Sequence, residues 1–118
     1  MRYGAGVATL EACREALARF HATVAGNRAE LRRKLNLDRR MVCRITDLGV
    51  SFRGRFVDGE LRDLTEGDDP AAQITLSASS DDLIALIDGR LDVARALATR
   101  RVSLRASPLD LLRLRKLL

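Results

Sequence analysis

The stretch AQITLSASSDDLIALIDGRLDVARALATRRVSLRAS, residues 72–107, changes its hydrophobic period twice, and those changes decide the fold. At its start Ile74, Leu76 and Ala78 alternate with Thr75 and Ser77. A period of two marks a half-buried strand, here over 73–78. Ser79 then stands at a helix N-cap, with Asp82 at the third helical position. Leu83, Leu86 and Ile87 follow at helical spacing, Ile84 lies at the margin of that face, and Gly89 ends a helix over 80–88. A second short helix starts after Asp92, with Val93, Ala96 and Leu97 inward. Alternation returns over 101–106, where Val102, Leu104 and Ala106 face one way and Ser103 and Arg105 the other. Ser107-Pro108 opens the last helix: the hydroxyl caps, proline suits the first helical position, and Asp110 favours the positive end of the dipole.

Upstream the order is helix, helix, then strands. Leu10, Cys13, Leu17, Phe20 and Val24 recur every three or four residues, which predicts an amphipathic helix over 7–24 that Gly26 terminates. Asn27 and Glu30 have the spacing of a reciprocal cap for a short helix, RAELRRKL, with Leu31 and Leu35 inward. Over 41–46, Met41, Cys43 and Ile45 oppose Val42, Arg44 and Thr46. After a turn at Asp47, Leu48 and Gly49, the residues Val50, Phe52, Gly54 and Phe56 oppose Ser51, Arg53 and Arg55. Asp58-Gly59 favours a tight hairpin, and a third strand over 60–64 closes a meander. The loop 65–71, with Glu66, Asp68 and Asp69, reads as solvated. Five strands after one helical segment, with helices inserted late, give an α+β class: a mainly antiparallel five-stranded sheet with about five helices on one face. Arg44, Arg53, Arg55 and Arg105 would lie on the other face.

The 118 residues fit a single domain over 1–118, and a hydrophobic fraction of 47% suffices for a core without disulfide or metal. No apolar run has the length of a membrane span, and the N-terminal stretch reads as lacking a signal peptide. Cys13 and Cys43 fall at apolar positions and read as reduced core thiols, which favours a cytoplasmic location. Charge is segregated. Residues 28–55 carry nine basic and three acidic side chains, 56–99 three basic and ten acidic, and 100–118 six basic and one acidic. Such a pattern suits an anionic surface.

No catalytic constellation is visible. The lone His21 has no nucleophile or carboxylate partner nearby, the GAG at 4–6 follows no strand, and the acidic loop lacks calcium-ligand spacing. We therefore expect no catalytic residues, no metal and no cofactor. Single-stranded nucleic acid wants aromatic platforms on a basic sheet, whereas Phe52 and Phe56 fall on the apolar side. A phosphate-backbone binder is the least favoured reading, and no specific nucleic acid is expected. The last helix, PLDLLRLRKLL, has leucine at 109, 111, 112, 114, 117 and 118, an arc wider than one buried stripe needs. It would serve as a deep core helix, a dimer contact, or a lid over a cavity that a bound lipid completes.

The quoted stretch, with LDLLRLRKLL after it, resembles the sterol carrier protein family. The residues that carry the resemblance are Ser80 before paired Asp81 and Asp82, then Gly89, Arg90 and Leu91, followed by a short helix, a last strand and a C-terminal helix. Cys43 to Leu64 is similar to that family's first hairpins, so the resemblance covers about 40–118. The family's usual glycines around the last strand are replaced by Thr99 to Arg101 and by Ala106-Ser107. The resemblance implies a non-catalytic carrier of an apolar lipid (fatty acyl, sterol or isoprenoid) in a tunnel between sheet and helices. It also allows an accessory module for a lipid- or quinone-pathway enzyme, as some bacterial members are. Phe52, Phe56, Ile74, Leu76, Val102 and Leu104 would line the sheet side, and Leu83, Leu86, Ile87, Leu97, Leu109 and Leu112 the helical side. The expected partners are an apolar lipid, with an anionic membrane surface, a second copy or a partner enzyme beyond it.

Overall fold

The computed structural model describes residues 8–115. Along them run α1 (Leu10–Gly26), α2 (Arg28–Lys34), β1 (Asp38–Ile45), β2 (Val50–Val57), β3 (Glu60–Glu66), β4 (Ile74–Ala78), α3 (Ser80–Ile87), α4 (Val93–Ala98), β5 (Val102–Arg105) and α5 (Pro108–Leu114). One sheet has the order β3-β2-β1-β4-β5. Its pairings are antiparallel apart from β1 with β4, which is parallel. The α+β class follows as expected from the sequence.

Register places Met41, Cys43 and Ile45 opposite Gly54, Phe52 and Val50 on one side and Ile74, Leu76 and Ala78 on the other. Leu76 and Ala78 in turn oppose Leu104 and Val102. These are the residues that alternation assigned to one face, and the helices pack on it. Their caps are the predicted ones: the Ser79, Asp92 and Ser107 side chains accept hydrogen bonds from the backbone N–H of Asp82, Arg95 and Asp110. The Asp58-Gly59 hairpin turn forms with positive φ at both residues.

Four local expectations are corrected. Helix α1 runs through Gly26, and Asn27 makes no side-chain cap; its amide donates back to the Thr23 carbonyl oxygen at 2.8 Å instead. The helix is rolled so that Ala16, not Phe20, is innermost, and Phe20 stays exposed. In the α3–α4 segment Leu91 is buried and Val93 exposed, the reverse of an inward Val93, because the apolar residue ahead of the Asp92 cap turns into the core. Strand β1 begins three residues before Met41, at Asp38, because Asp38, Arg39 and Arg40 find carboxylate or guanidinium partners.

The largest correction concerns the acidic loop. β3 lies at one edge and β4 beyond β1, so the chain between them must cross two strands. It does so over the arginine face. The Gly67 N–H donates to the Ser51 carbonyl at 2.8 Å, Asp68 pairs with Arg44 at 3.3 Å, and Asp69 receives both Arg40 guanidinium nitrogens at 2.8 and 2.7 Å. Asp69 is buried, not solvated. Val42, read as outward, is also buried. A fork-on-carboxylate pair fixes the crossing at the point where it passes β1.

The interior forms two clusters. One gathers Cys13, Leu17, Ile45, Phe52, Ala78, Leu83, Leu91, Ala96 and Val102 beneath α1, α3 and α4. The other gathers Val24, Leu35, Leu37 and Phe56, with Met41, Leu61 and Leu114 against them. Each large side chain so buried contributes roughly 1.5–3 kcal/mol.

Candidate functional site

Beside the Arg39–Phe56 pair, three cross-strand rows make up the helix-covered face. In the row towards α3, Ile45, Ala78 and Val102 are at most 2% exposed. In the row at the other end, Ile74 is equally closed, next to Met41 and Gly54. The middle row is Phe52, Cys43, Leu76 and Leu104. Only Phe52 is buried there; Cys43, Leu76 and Leu104 are half-buried. The apolar floor is thus closed in the row towards α3, where only Val50 is half-buried, and half-open from the middle row to Met41 and Gly54.

The helices around it are only partly committed to the core. Leu83 is buried, while Leu86, Ile87 and Leu97 lie half-buried against the first cluster. On α5, Leu109, Leu111 and Leu112 are exposed by 56%, 36% and 58%. The predicted lining set therefore divides. Phe52, Leu76, Leu83, Leu86, Ile87, Leu97 and Val102 share the first cluster, and Phe56 belongs to the second. Ile74 is buried outside both clusters, and Leu104 is half-buried at the sheet edge. Leu109 and Leu112 are exposed and belong to neither cluster.

Sequence reasoning missed what holds α5. Arg39 is on the helix-covered side of β1, opposite Phe56. Its Nε and Nη2 donate to the two Asp110 carboxylate oxygens at 2.8 and 3.1 Å, and Asp110 is 3% exposed. Together with Leu114 in the second cluster, this bidentate pair seats the helix. The signal was an arginine at an apolar position of the alternation, which periodicity alone treats as a strand boundary.

A second missed group is the Ser80 hub. Ser80 is fully buried; its hydroxyl donates to Asp47 Oδ2 at 2.6 Å, its N–H donates to Asp47 Oδ1 at 2.8 Å, and the Ala8 N–H donates to its hydroxyl oxygen at 3.1 Å. It ties the β1–β2 turn to the start of α3.

Asp110, Asp69 and Asp47 are among the carboxyls that titrate below their ordinary value of 3.8. For Asp110 the Arg39 hydrogen bonds lower it. For Asp69 and Asp47 desolvation opposes the shift, but bonds from Arg40 to the one and from Ser80 to the other outweigh it. A depressed native value means stability is fully present above 3.8 and lost as pH falls through the lower native values. Acid unfolding followed by circular dichroism should begin below that point, and Asp69→Asn should flatten the acid limb.

Both thiols shift the other way. Burial raises Cys13, and burial pushes Cys43 up to about 11. At pH 8 the thiolate of Cys43 is about two orders of magnitude scarcer than in an unfolded chain, so alkylation in the native state should be slower by that factor.

Among the described residues no group of three His, Cys, Asp or Glu is placed to hold a metal ion, and no helix is long and apolar enough to cross a membrane.

The SCP-2 sterol transfer family model matches residues 12–118, and the chain belongs to that family. Among curated proteins none matches. The solution structure of palmitated SCP2L2 from Aedes aegypti is similar, at 17% identity and TM-score 0.65, with 92% of each chain covered. Sterol carrier protein 2 of Aedes aegypti in complex with palmitate is similar at 19% identity and TM-score 0.56, over 89% of this chain and 91% of that one. Part of the sec-alkylsulfatase Pisa1 from Pseudomonas sp. also matches, at 21% identity and TM-score 0.53, over 63% of this chain. The present chain spans only 12% of that protein's length.

Proposed function

We propose that the chain acts as one non-catalytic lipid-binding domain, taking a fatty acyl, sterol or isoprenoid chain between the sheet and its helices. The observation that carries this reading is the half-burial of Cys43, Leu76 and Leu104 on the helix-facing side of the sheet, together with the exposed leucines of α5. Family membership and the fatty acid held by the two mosquito proteins support it. A guest that covers about 300 Å² of apolar surface gains on the order of 7 kcal/mol, enough for micromolar binding once ordering costs stay small.

Organic extraction of the native protein, with mass spectrometry of the extract, should yield a lipid. Uptake of a fluorescent fatty acid by the stripped protein should weaken about tenfold in Leu76→Gln, through a polar group placed against the guest. Bound lipid should also shield Cys43 from alkylation while leaving the unfolded-state rate unchanged. A protein that holds no lipid and takes up no fatty acid contradicts the proposal.

The exposed α5 leucines favour a second reading, an interaction module that docks an enzyme or a second copy. Light scattering on the lipid-free protein separates the two: a tight dimer whose formation fatty acid does not disturb would favour docking.

A further inference from the structure

At the β5 edge, mainly on the face away from the helices, a hollow of about 470 Å³ is lined by Arg44, Gln73, Thr75, Leu104 and Arg105, with Asp69 and Pro70 of the crossing loop at its border. We propose that this hollow binds a phosphate-class oxyanion, a phosphomonoester group carried by a lipid headgroup or by a small soluble molecule.

The donors outnumber the acceptors. Arg105 makes no ion pair among the described residues, and Arg44 reaches Asp68 only at 3.3 and 3.4 Å, so its guanidinium can turn to a better acceptor. The Thr75 hydroxyl stands beside them. Gln73 accepts the Arg40 N–H through its Oε1 at 3.1 Å, which leaves its amide NH₂ to donate. Asp69 is the one carboxylate in the wall, and it is occupied: Arg40 takes both oxygens and the Ala71 N–H donates to it at 3.0 Å. With Arg53 beside Gly67, four arginines (Arg40, Arg44, Arg53 and Arg105) meet two aspartates around the hollow and the crossing loop. Two guanidinium groups with a hydroxyl and an amide between them match the several acceptor oxygens of a phosphate. The volume exceeds that of phosphate alone, since one water takes about 30 Å³, and so admits a small attached group. The site does not rest on the lipid-binding reading: its polar groups lie on the opposite face, and Leu104 at the sheet edge is the one residue of the middle row that also borders it.

The test follows backbone amide shifts while inorganic phosphate is added at low ionic strength. Saturable shifts should gather at Gln73, Thr75 and Arg105, and Arg105→Gln and Arg44→Gln should each weaken binding about tenfold, while Arg95→Gln on α4 should not. Arg105 is exposed and Arg44 half-buried, so Arg105→Gln is the variant that leaves folding untouched, and circular dichroism checks the fold of Arg44→Gln. Absence of saturation, shifts scattered over all arginines, or equal effects of Arg105→Gln and Arg95→Gln would overturn the proposal. Vesicles containing phosphatidic acid separate the sources. Attachment that phosphate displaces and Arg105→Gln weakens assigns the hollow to an exposed headgroup; phosphate saturation without attachment assigns it to a soluble phosphoester. Attachment indifferent to both phosphate and Arg105→Gln contradicts the site.

Discussion

Gly59→Ala should cost about 3 kcal/mol of stability and lower Tm by about 10 °C or more. Gly59 has φ of 75° in the β2–β3 turn, and a Cβ there would lie 2.4 Å from the Arg28 carbonyl oxygen and 2.9 Å from the Arg32 nitrogen. Both are backbone atoms of α2, so no side-chain rotation relieves the contact. Left-handed backbone alone costs an alanine about 1 kcal/mol. The remainder comes from displacing α2, whose Leu31 and the following Leu35 pack in the second cluster. Gly49→Ala is the matched control. It has φ of 64° with nothing within 4 Å of its Cβ, so only the conformational part should be lost. Urea unfolding of the two variants checks the difference; equal losses would mean that α2 does not rest on the turn.

Breaking the pair that seats α5 should have the second large effect. Arg39→Met leaves the buried Asp110 carboxylate with Arg113 at 3.4 Å and the Ser107 hydroxyl only, at a cost of about 2 kcal/mol. Replacing both partners, Arg39→Met with Asp110→Leu, should recover part of that loss, since the penalty lies in the stranded charge more than in the missing attraction. If α5 closes over a guest, the single variant should release a fluorescent fatty acid about tenfold faster than the parent, as stopped-flow dilution would show. Slower or unchanged release would mean that α5 plays no part in holding the lipid.

Most of this fold was legible because alternation and caps acted together. Every strand that alternates apolar with polar residues formed, and Ser79, Asp92 and Ser107 capped the helices they introduce. What escaped is long-range. Nothing in the local pattern of Gly67, Asp68 and Asp69 reveals that the chain must pass over β1 and β2, because the parallel pairing of β1 with β4 is decided by topology. That crossing turns an expected solvated loop into a buried carboxylate and covers Val42. Arg39 escaped for a related reason: a charge on an apolar face is intelligible only with its partner, seventy-one residues away. The amphipathic pattern of α1 admitted either Ala16 or Phe20 at its centre, and neighbouring packing chose the smaller. The proposed site was legible as a face, not as an opening: the sequence placed Leu76 and Leu104 on the floor, while their half-burial depends on tertiary packing that alternation does not encode.

The account rests on one physical statement, that apolar space beside the middle row admits a guest. Methyl-labelled protein with added palmitate tests it most directly, through intermolecular nuclear Overhauser contacts. Contacts from the acyl chain to the methyls of Leu76, Leu104 and Leu112 are the predicted result. An acyl chain that touches only outward-facing methyls such as that of Val93, with those three leucines silent, would contradict it.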